Sequence, residues 1–394
     1  MIIIYNLAIW MHVMAIRISA LFNPKARLWL EGRKDIFNKI KNDLQDNKNI
    51  VWFHCASLGE FEQGKPIVEA YKSKYKDHKI LITFFSPSGF EVKKNTACAD
   101  WVFYLPADTR LNAKRFIAIV KPIKAIFIKY EFWINYMKEL KRKNIPFYSI
   151  STVFRKQQLF FKYDWWGEQL KNVTHFCLQD KESADLLHNI GVKSYSITGD
   201  SRFDNVLANQ KNPTENSLIE LFCKNRQTII CGSTWPKDEV LLIDYIKKNP
   251  QNNYIIAPHE IDNISKLQKE IKGLLFSDLD ASNMNKKNVL IINTIGILSN
   301  IYRYANIAYI GGGFGKGIHN ILEPVAFGLP VIFGPKHQKS NEATALIDKK
   351  GAISVSNYTE LDAAIQSFKN FDTLISFNYI KENSGATEKV ISLL

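Results

Sequence analysis

The sequence predicts an α/β protein built from two doubly wound domains, and three observations lead to this prediction. Short apolar runs alternate with segments in which apolar and charged residues recur at helical spacing. Such alternation is typical of parallel sheets with helices on both faces. The length of 394 residues suits two domains. A polar stretch without periodicity, NQKNPTENS, separates two series of apolar runs and marks the boundary.

Residues 1–40 are predicted to form an apolar helix followed by a basic collar. The first sixteen residues contain no Asp, Glu, Lys or Arg, and basic residues predominate from Arg17 to Lys41. The apolar run is shorter than the ~20 residues of a spanning helix, and no basic segment precedes it as in a signal peptide. We therefore expect this segment to bind the surface of an anionic membrane. Burial against the rest of the protein is the alternative.

Residues 41–206 are expected to form the first domain, residues 207–220 a linker, and residues 221–394 the second domain, whose last helix could pack back on the first. The candidate strands of the first domain are Ile50–His54, Ile80–Phe85, Ala125–Lys129, Phe147–Ser151, His175–Leu178 and Tyr195–Thr198. Those of the second domain are Thr228–Cys231, Tyr254–Ala257, Val289–Ile292, Ile307–Ile310 and Val331–Phe333. Because open parallel sheets bind ligands at the carboxyl ends of their strands, we expect the loops there to line a cleft between the two facing domains.

Three loops of the first domain carry polar residues where a strand ends. These residues are Ser57, Gly59, Glu60, Ser86, Ser88 and Glu131. Glu60 is expected near a helix N-terminus, where the helix dipole alone favours an acid. A carboxylate in such a loop could also accept a proton from a hydroxyl group. The serine loop could bind a polar ligand or form an ordinary turn.

A Gly-rich segment, GGGFGKGIHNILEPVAFGLPVIFGP at residues 311–335, follows the predicted strand Ile307–Ile310. A P-loop would require Ser or Thr where Gly317 stands, and the dinucleotide motif G-x-G-x-x-G would require Gly in place of Lys316. The segment therefore matches neither of these phosphate-binding loops.

Other features of the second domain also suit a nucleotide. Gly312 and Gly313 leave the backbone open to close approach by a ligand. Asn320 and Glu323 fit either a capping box or a carboxylate that binds the two hydroxyls of a ribose. Hydroxyl and N–H groups at a helix start suit a phosphate. Further candidates at strand ends are Ser233, Thr234, Pro258 and His259.

Composition narrows the range of partners. The net charge of +14 favours a polyanionic partner, although it could serve solubility alone. Five scattered cysteines without a C-x-x-C pair favour reduced thiols and argue against a zinc site, so we expect neither a metal nor a cofactor. Basic residues are dispersed and no nucleic-acid-binding motif is present, which makes a nucleic acid a distant alternative.

A series of motifs in a fixed order resembles one enzyme family. The motifs are FHCASLGEFEQGKP, TFFSPSG, YLPADT, YEFW, TGDSRFD, CGSTW, APHE, GGGFGKGIHNILEP and GATEKV. With the apolar N-terminal segment, they resemble the 3-deoxy-D-manno-octulosonic acid (Kdo) transferases of lipopolysaccharide synthesis over nearly the whole chain. The resemblance implies a GT-B fold of two Rossmann-like domains. It also implies an inverting transfer of Kdo from CMP-Kdo to a lipid A precursor (lipid IVA) at the cytoplasmic face of the inner membrane.

The resemblance further implies roles for individual residues. Glu60 would be the general base that takes a proton from the acceptor hydroxyl, and Glu131 a supporting acid. The acceptor side would include Ser57, Gly59, Ser86 and Ser88. The residues implied to bind CMP are Arg202, Ser233, Thr234, Pro258, His259, Gly312, Gly313, Asn320 and Glu323. Such a fold normally works without a metal.

The chain departs from the family pattern at several positions. It has KYEFWI from Lys129 where the family often has E-T-E-L-W-P, and His259 directly follows Pro258 where an Arg is common between them. Ile297 replaces an acid, and Ile321 replaces a proline. Another GT-B transferase, with a UDP-sugar donor and a lipid acceptor, is therefore kept as the alternative function.

Overall fold

The computed structural model describes residues 1–45, 47–212, 214–260, 264–284 and 286–394. The chain divides into two compact units, one of residues 1–205 with 384–394 and the other of residues 206–383. Within the described residues each unit contains a parallel sheet of seven strands. The predicted α/β fold with two parallel-sheet domains is therefore confirmed.

The first unit is built on a sheet with the strand order β3-β2-β1-β4-β5-β6-β7. Its strands are β1 (Ile50–Cys55), β2 (Lys79–Phe84), β3 (Trp101–Tyr104), β4 (Lys124–Ile128), β5 (Phe147–Thr152), β6 (His175–Leu178) and β7 (Tyr195–Ile197). Its helices are α1 (Ile2–Ser19), α2 (Pro24–Glu31), α3 (Ile36–Leu44), α4 (Leu58–Lys74), α5 (Pro87–Lys93), α6 (Arg110–Val120), α7 (Ile134–Arg142), α8 (Asp164–Leu170), α9 (Lys181–Asn189) and, near the end of the chain, α19 (Ala386–Leu393).

Apolar side chains cover both faces of this sheet. Along β1, Trp52 belongs to one buried cluster, while Val51 and Phe53 belong to another. Because successive side chains of a strand point to opposite faces, the two clusters lie on opposite sides of the sheet. This explains why the central strands are continuous apolar runs rather than alternating ones.

The second unit has a sheet with the strand order β10-β11-β9-β8-β12-β13-β14. Its strands are β8 (Thr228–Thr234), β9 (Asn253–Pro258), β10 (Leu274–Leu275), β11 (Val289–Ile291), β12 (Ile307–Ile310), β13 (Val331–Phe333) and β14 (Ala352–Ser354). The helices are α10 (Ser201–Lys211), which begins in the first unit, and α11 (Ser217–Cys223), α12 (Pro236–Lys248), α13 (Ile264–Ile271), α14 (Leu298–Ile301), α15 (Leu322–Ala326), α16 (Asn341–Asp348), α17 (Tyr358–Ser367) and α18 (Leu374–Asn383).

Short polar side chains fix the start of many helices in both units. Each accepts a hydrogen bond from a backbone N–H group of the first turn, which would otherwise have no partner. These N-cap residues are Asn23, Thr109, Asp180, Asn216, Ser340 and Asn357.

Every predicted strand is present, but three observed strands were not predicted. These are β3, β10 and β14, and each lies at the edge of its sheet. Edge strands are covered on fewer sides, so their sequences need not form a long apolar run. The two residues of β10 and the last two of β14 are only half-buried, which is why they gave no clear signal.

The region expected to be a linker is partly helical. Residues 207–220 include the end of α10 and the start of α11, while Pro213 lies outside the described residues. The contacts place the division between the units at residues 205 and 206. Helix α19 packs against α4 in the first unit.

Helix α1 is exposed over most of its length, with Tyr5 as its one buried residue. Within the described residues it is also the one helix long and apolar enough to cross a membrane. Two of its polar side chains attach it to the first unit: the Tyr5 hydroxyl donates over 2.5 Å to Asp108, which precedes α6, and Asn6 accepts over 2.9 Å from Asn135 of α7.

One residue of the expected basic collar has a different role. The guanidinium of Arg33 is buried and donates to the carbonyl oxygens of Leu105, Trp29 and Phe85 at 2.7 to 3.0 Å. Burial lowers the pKa of Arg33 to about 9. Arg33 therefore joins α2 to the sheet and does not contribute to the collar, because its N–H groups are occupied by backbone carbonyls.

Candidate functional site

Glu60 lies in the first turn of α4, directly after the carboxyl end of β1. Its carboxylate accepts a hydrogen bond from the backbone N–H group of Ala56. The side chain is buried, with 9% of the residue exposed. The turn between strand and helix thus holds a carboxylate at the edge of the sheet where ligands are usually bound.

The pKa of Glu60 is raised to about 7, chiefly by burial and next by the negative charge of Glu131. Hydrogen bonds from Ala56 and Ser57 and the positive charge of Lys129 act in the opposite direction. A carboxyl group with a pKa near neutrality can take up a proton and release it at working pH. The helix dipole alone would lower the pKa, so burial and Glu131 determine the outcome.

Glu131 follows β4, the neighbour of β1 in the sheet. Its Oε2 lies 3.8 Å from Nε2 of His54, and its side chain is 17% exposed. The same Nε2 accepts a hydrogen bond of 3.2 Å from the indole N–H of Trp133. The structure therefore brings together the two acids that the sequence predicted, and adds His54 and Trp133 to them.

His54 is completely buried at the end of β1. Its Nδ1 lies 2.8 Å from the hydroxyl and 3.0 Å from the carbonyl oxygen of Thr83. Because Nε2 accepts from Trp133, Nδ1 carries the proton and donates to Thr83. His54 was not predicted from the sequence as a site residue; the signal that could have found it is a histidine at a position where a buried strand usually has an apolar residue.

The serine loops have local structural partners. Ser86 caps α5 by accepting from the backbone N–H group of Ser88, and the two hydroxyls are 2.9 Å apart. Ser57 is the N-cap residue of α4. A Cβ atom at Gly59 would meet no atom within 4 Å, so the start of this helix is open there.

Arg202 lies in the first unit, whereas the other residues expected to bind CMP lie in the second. Its guanidinium forms an ion pair with Asp200, with Nη2 and Oδ2 2.6 Å apart. Gln63 of α4 also donates to Asp200, over 3.0 Å. Asp200, which directly precedes α10, thus contacts both Arg202 in the first turn of that helix and Gln63 of α4.

In the second unit, buried Asp238 fixes the Gly-rich loop. One carboxylate oxygen accepts from the backbone N–H groups of Trp235 and Gly312, at 3.0 and 2.9 Å. The other accepts from the hydroxyl of Tyr309 over 2.9 Å. Asp238 therefore joins the start of α12 to the end of β12 and the loop that follows it.

Close backbone contacts explain two of the glycines. A Cβ atom at Gly311 would lie 2.2 Å from the carbonyl oxygen of Ser233, and one at Gly313 would lie 2.6 Å from Gly334. Gly312 has a φ of +95°, in the region that favours glycine. Ser233 also has a positive φ, of +54°. The loop after β12 is thus packed backbone against backbone with the end of β8 and with Gly334 after β13.

Aromatic rings line one side of this site. The ring of His259 stacks on that of Trp235, with centroids 4.7 Å apart, and on that of His319 at 4.4 Å. The indole N–H of Trp235 donates to Nε2 of His319 over 2.8 Å. Burial and the neighbouring His259 lower the pKa of His319 to about 4, so its ring is neutral at physiological pH. Of these, only His259 was selected from the sequence.

A cavity of about 580 Å³ adjoins these residues, with Trp235, Asp238, Gly312, Lys316 and His319 in its wall. This volume is within the usual range for small-molecule sites. Within the described residues, no group of three or more His, Cys, Asp or Glu residues is placed to hold a metal ion.

Four other predicted residues lie at neighbouring strand ends or on the following helix. Asn320 accepts from the N–H group of Leu322 and donates to Oε1 of Glu323, each over 3.1 Å. The Thr234 hydroxyl donates to Glu239 over 3.0 Å. Pro258 is the last residue of β9.

Comparison with known proteins shows which family the chain resembles. Residues 31–205 match the family model of the 3-deoxy-D-manno-octulosonic-acid transferases (kdotransferases). A 3-deoxy-D-manno-octulosonic acid transferase of Aquifex aeolicus is 29% identical over 328 residues, which cover 82% of this chain and 86% of the relative. One from Chlamydia trachomatis serovar A is 26% identical over 90% of this chain and 88% of its own.

The fold also matches solved structures of low sequence identity. UDP-GlcNAc 2-epimerase from Neisseria meningitidis, solved with bound UDP-GlcNAc, superposes with a TM-score of 0.62 and 15% identity over 87% of this chain and 98% of its own. This likeness concerns the fold, whereas the sequence relatives concern the family. The chain is thus similar over most of its length to 3-deoxy-D-manno-octulosonic acid transferases, which are glycosyltransferases, and residues 31–205 match their family model.

Proposed function

We propose that this protein transfers Kdo from CMP-Kdo to a primary hydroxyl of a lipid A precursor, with inversion at the anomeric carbon. The observation that carries the proposal is the buried carboxyl of Glu60, whose pKa is raised to about 7 at the carboxyl end of β1. The resemblance to the kdotransferases indicates which sugar is transferred. The burial and raised pKa of Glu60 indicate that this residue exchanges a proton during the reaction.

In this proposal Glu60 is the general base. Its carboxylate takes the proton of the acceptor hydroxyl while that oxygen attacks the anomeric carbon of Kdo, and CMP leaves with the electrons of the broken bond. Glu131 supports this role because its charge raises the proton affinity of Glu60. Hydroxyl and N–H groups of the loops with Ser57 and Ser86 would contact the acceptor.

We assign donor binding to the cavity beside the Gly-rich loop. Lys316 in its wall can offset the charge of the leaving phosphate, and the Trp235 and His319 rings offer a flat surface to the base. Glu323 is oriented by Asn320 and is proposed to bind the hydroxyls of the ribose. Asp200 partly offsets the charge of Arg202 through their ion pair. Arg202 would therefore bind the carboxylate or phosphate of the donor only after this ion pair rearranges.

We also propose that α1 holds the protein at the cytoplasmic face of the inner membrane. The helix exposes large apolar side chains, and its composition would suit the apolar layer of a bilayer. Those that are exposed on α1 and just after it are Ile3, Ile4, Leu7, Trp10, Met11, Ile18, Leu21 and Phe22.

The direct test is a transfer assay with CMP-Kdo, generated in place, and the tetraacylated lipid A precursor in detergent, read by mass spectrometry. A product heavier by one or more Kdo units is expected. If no product forms with CMP-Kdo but CMP still binds in calorimetry, the acceptor assignment is wrong. If CMP does not bind and a UDP-sugar is transferred instead, the donor assignment is wrong.

A further inference from the structure

A second cavity, of about 600 Å³, lies within the first unit beside α1. Val13 and Arg17 of α1 form one side of it, and Asn112 and Arg115 of α6 form another. The remaining wall is formed by residues between Trp29 and Phe37, at the end of α2 and the start of α3, and by Pro106 and Ala107 after β3. None of these residues belongs to the catalytic or nucleotide sites described above.

The charged side chains that line this cavity differ in availability. Arg17, Lys34 and Arg115 are exposed, whereas the guanidinium of Arg33 is occupied by backbone carbonyls. Two exposed acids, Glu31 and Asp35, also line the cavity, and Asp35 accepts a hydrogen bond of 2.6 Å from Asn38. The basic side chains outnumber the acids, so the cavity favours an anion.

The position of Arg17 connects this cavity to the exposed apolar surface of α1. Val13 and Arg17 lie on the same helix as Trp10 and Ile18, which are 59% and 62% exposed. A lipid whose acyl chains contact the apolar side chains would therefore have its headgroup near Arg17. Cationic side chains beside an inserted helix attract anionic headgroups.

We propose that this cavity binds the phosphate of an anionic phospholipid headgroup, with Arg17, Lys34 and Arg115 as the cationic contacts. The inference rests on the proposed membrane association of α1, but not on the identity of the transferred sugar. A headgroup held there would orient the first unit on the membrane through α1, α3 and α6 together, rather than through α1 alone.

The test compares binding of the full-length protein to phosphatidylcholine vesicles with and without phosphatidylglycerol. The variant combines Arg17→Gln, Lys34→Gln and Arg115→Gln. The control combines Lys48→Gln, Lys76→Gln and Lys193→Gln, three exposed lysines that precede β1, β2 and β7, so it removes the same charge at the amino edge of the same sheet. A strand of six residues is ~20 Å long, more than the ~8 Å Debye length at physiological salt, so the control charges are remote from the cavity.

The preference is the ratio of the affinities for vesicles with and without phosphatidylglycerol. We expect this ratio to fall at least about tenfold in the cavity variant and to stay unchanged in the control variant. Equal losses in both variants would mean that net charge alone is responsible and would overturn the proposal. An unchanged preference in the cavity variant would overturn it as well. If the unaltered protein binds neither kind of vesicle, membrane association itself is refuted, whereas transfer in detergent would still test the proposed reaction separately.

Discussion

Glu60 and Glu131 follow the adjacent strands β1 and β4, and the charge of Glu131 acts with burial to raise the pKa of Glu60. In the proposed mechanism these two acids have different roles: Glu60 exchanges a proton with the acceptor, and Glu131 raises the pKa of Glu60. Because a general base must be deprotonated to act, the rate should fall as the pH decreases below about 7.

Replacing Glu131 should shift the pH below which the rate of transfer falls. Glu131→Gln removes a negative charge that raises the pKa of Glu60, so the acid limb of kcat/KM should shift to lower pH. The measurement is the rate of Kdo transfer across a pH series in detergent.

Lys129→Gln supplies the opposite change, since the charge of Lys129 lowers the pKa of Glu60. The acid limb of this variant should shift to higher pH. If both variants moved the limb in the same direction, the coupling of Glu60 to these charges would be disproved.

His54 should act as a positioning residue through Glu131 and Trp133. His54→Leu leaves the half-buried indole N–H of Trp133 and the buried hydroxyl of Thr83 without this partner, a cost of about 1–3 kcal/mol. We expect a fall in kcat of about tenfold or more, with a changed pH profile.

His54→Gln is the matched control, because its amide can both accept from Trp133 and donate to Thr83. It should recover much of the rate and the original pH profile. A purely structural role would instead lower the amount of folded His54→Leu protein without moving the pH profile of the protein that remains folded.

Gly311→Ala should disrupt the nucleotide site, because the added Cβ would lie 2.2 Å from a backbone oxygen of Ser233. Backbone atoms at this position cannot move without displacing β8. We expect a lower melting temperature and a loss of CMP binding, measured by thermal denaturation and calorimetry. Gly315→Ala meets only one atom, 3.4 Å away, and should melt close to the unaltered protein. Similar melting temperatures for both variants would contradict the contact.

Glu323→Ala should weaken CMP binding if this carboxylate binds the ribose. Hydrogen bonds to a charged group contribute about 1.5–3 kcal/mol, so the Kd for CMP should rise about tenfold to a hundredfold. Glu220→Ala removes an exposed acid from α11 in the same unit and should leave the Kd unchanged. An unchanged Kd for Glu323→Ala would show that Glu323 acts only as a partner of Asn320.

The central strands, and the positions of Glu60 and Glu131 directly after two of them, could be predicted from the sequence because both depend on local patterns. Buried strands such as β1 and β12 need apolar runs, and polar residues directly after them fall at the edge where ligands bind. The short edge strands β10 and β14 have no such requirement, so their sequences carried no comparable pattern.

Contacts between distant segments could not be predicted in this way. Asp238 is 74 positions from Gly312 and Arg33 is 52 from Phe85, and nothing near either residue in the sequence indicates its partner. Arg33 resembled other basic residues of the collar until the fold placed three carbonyl oxygens around it. The same applies to His54, whose partners Thr83 and Trp133 come from other loops and strands.

The most direct test of Glu60 as the general base is Glu60→Gln, compared with Glu69→Gln on the exposed side of the same helix. Both the rate of Kdo transfer and the Kd for CMP should be measured. We expect Glu60→Gln to lower kcat by about a hundredfold to ten-thousandfold and to leave CMP binding intact, while Glu69→Gln changes neither. Transfer by Glu60→Gln at the rate of the unaltered protein would show that Glu60 is not the general base.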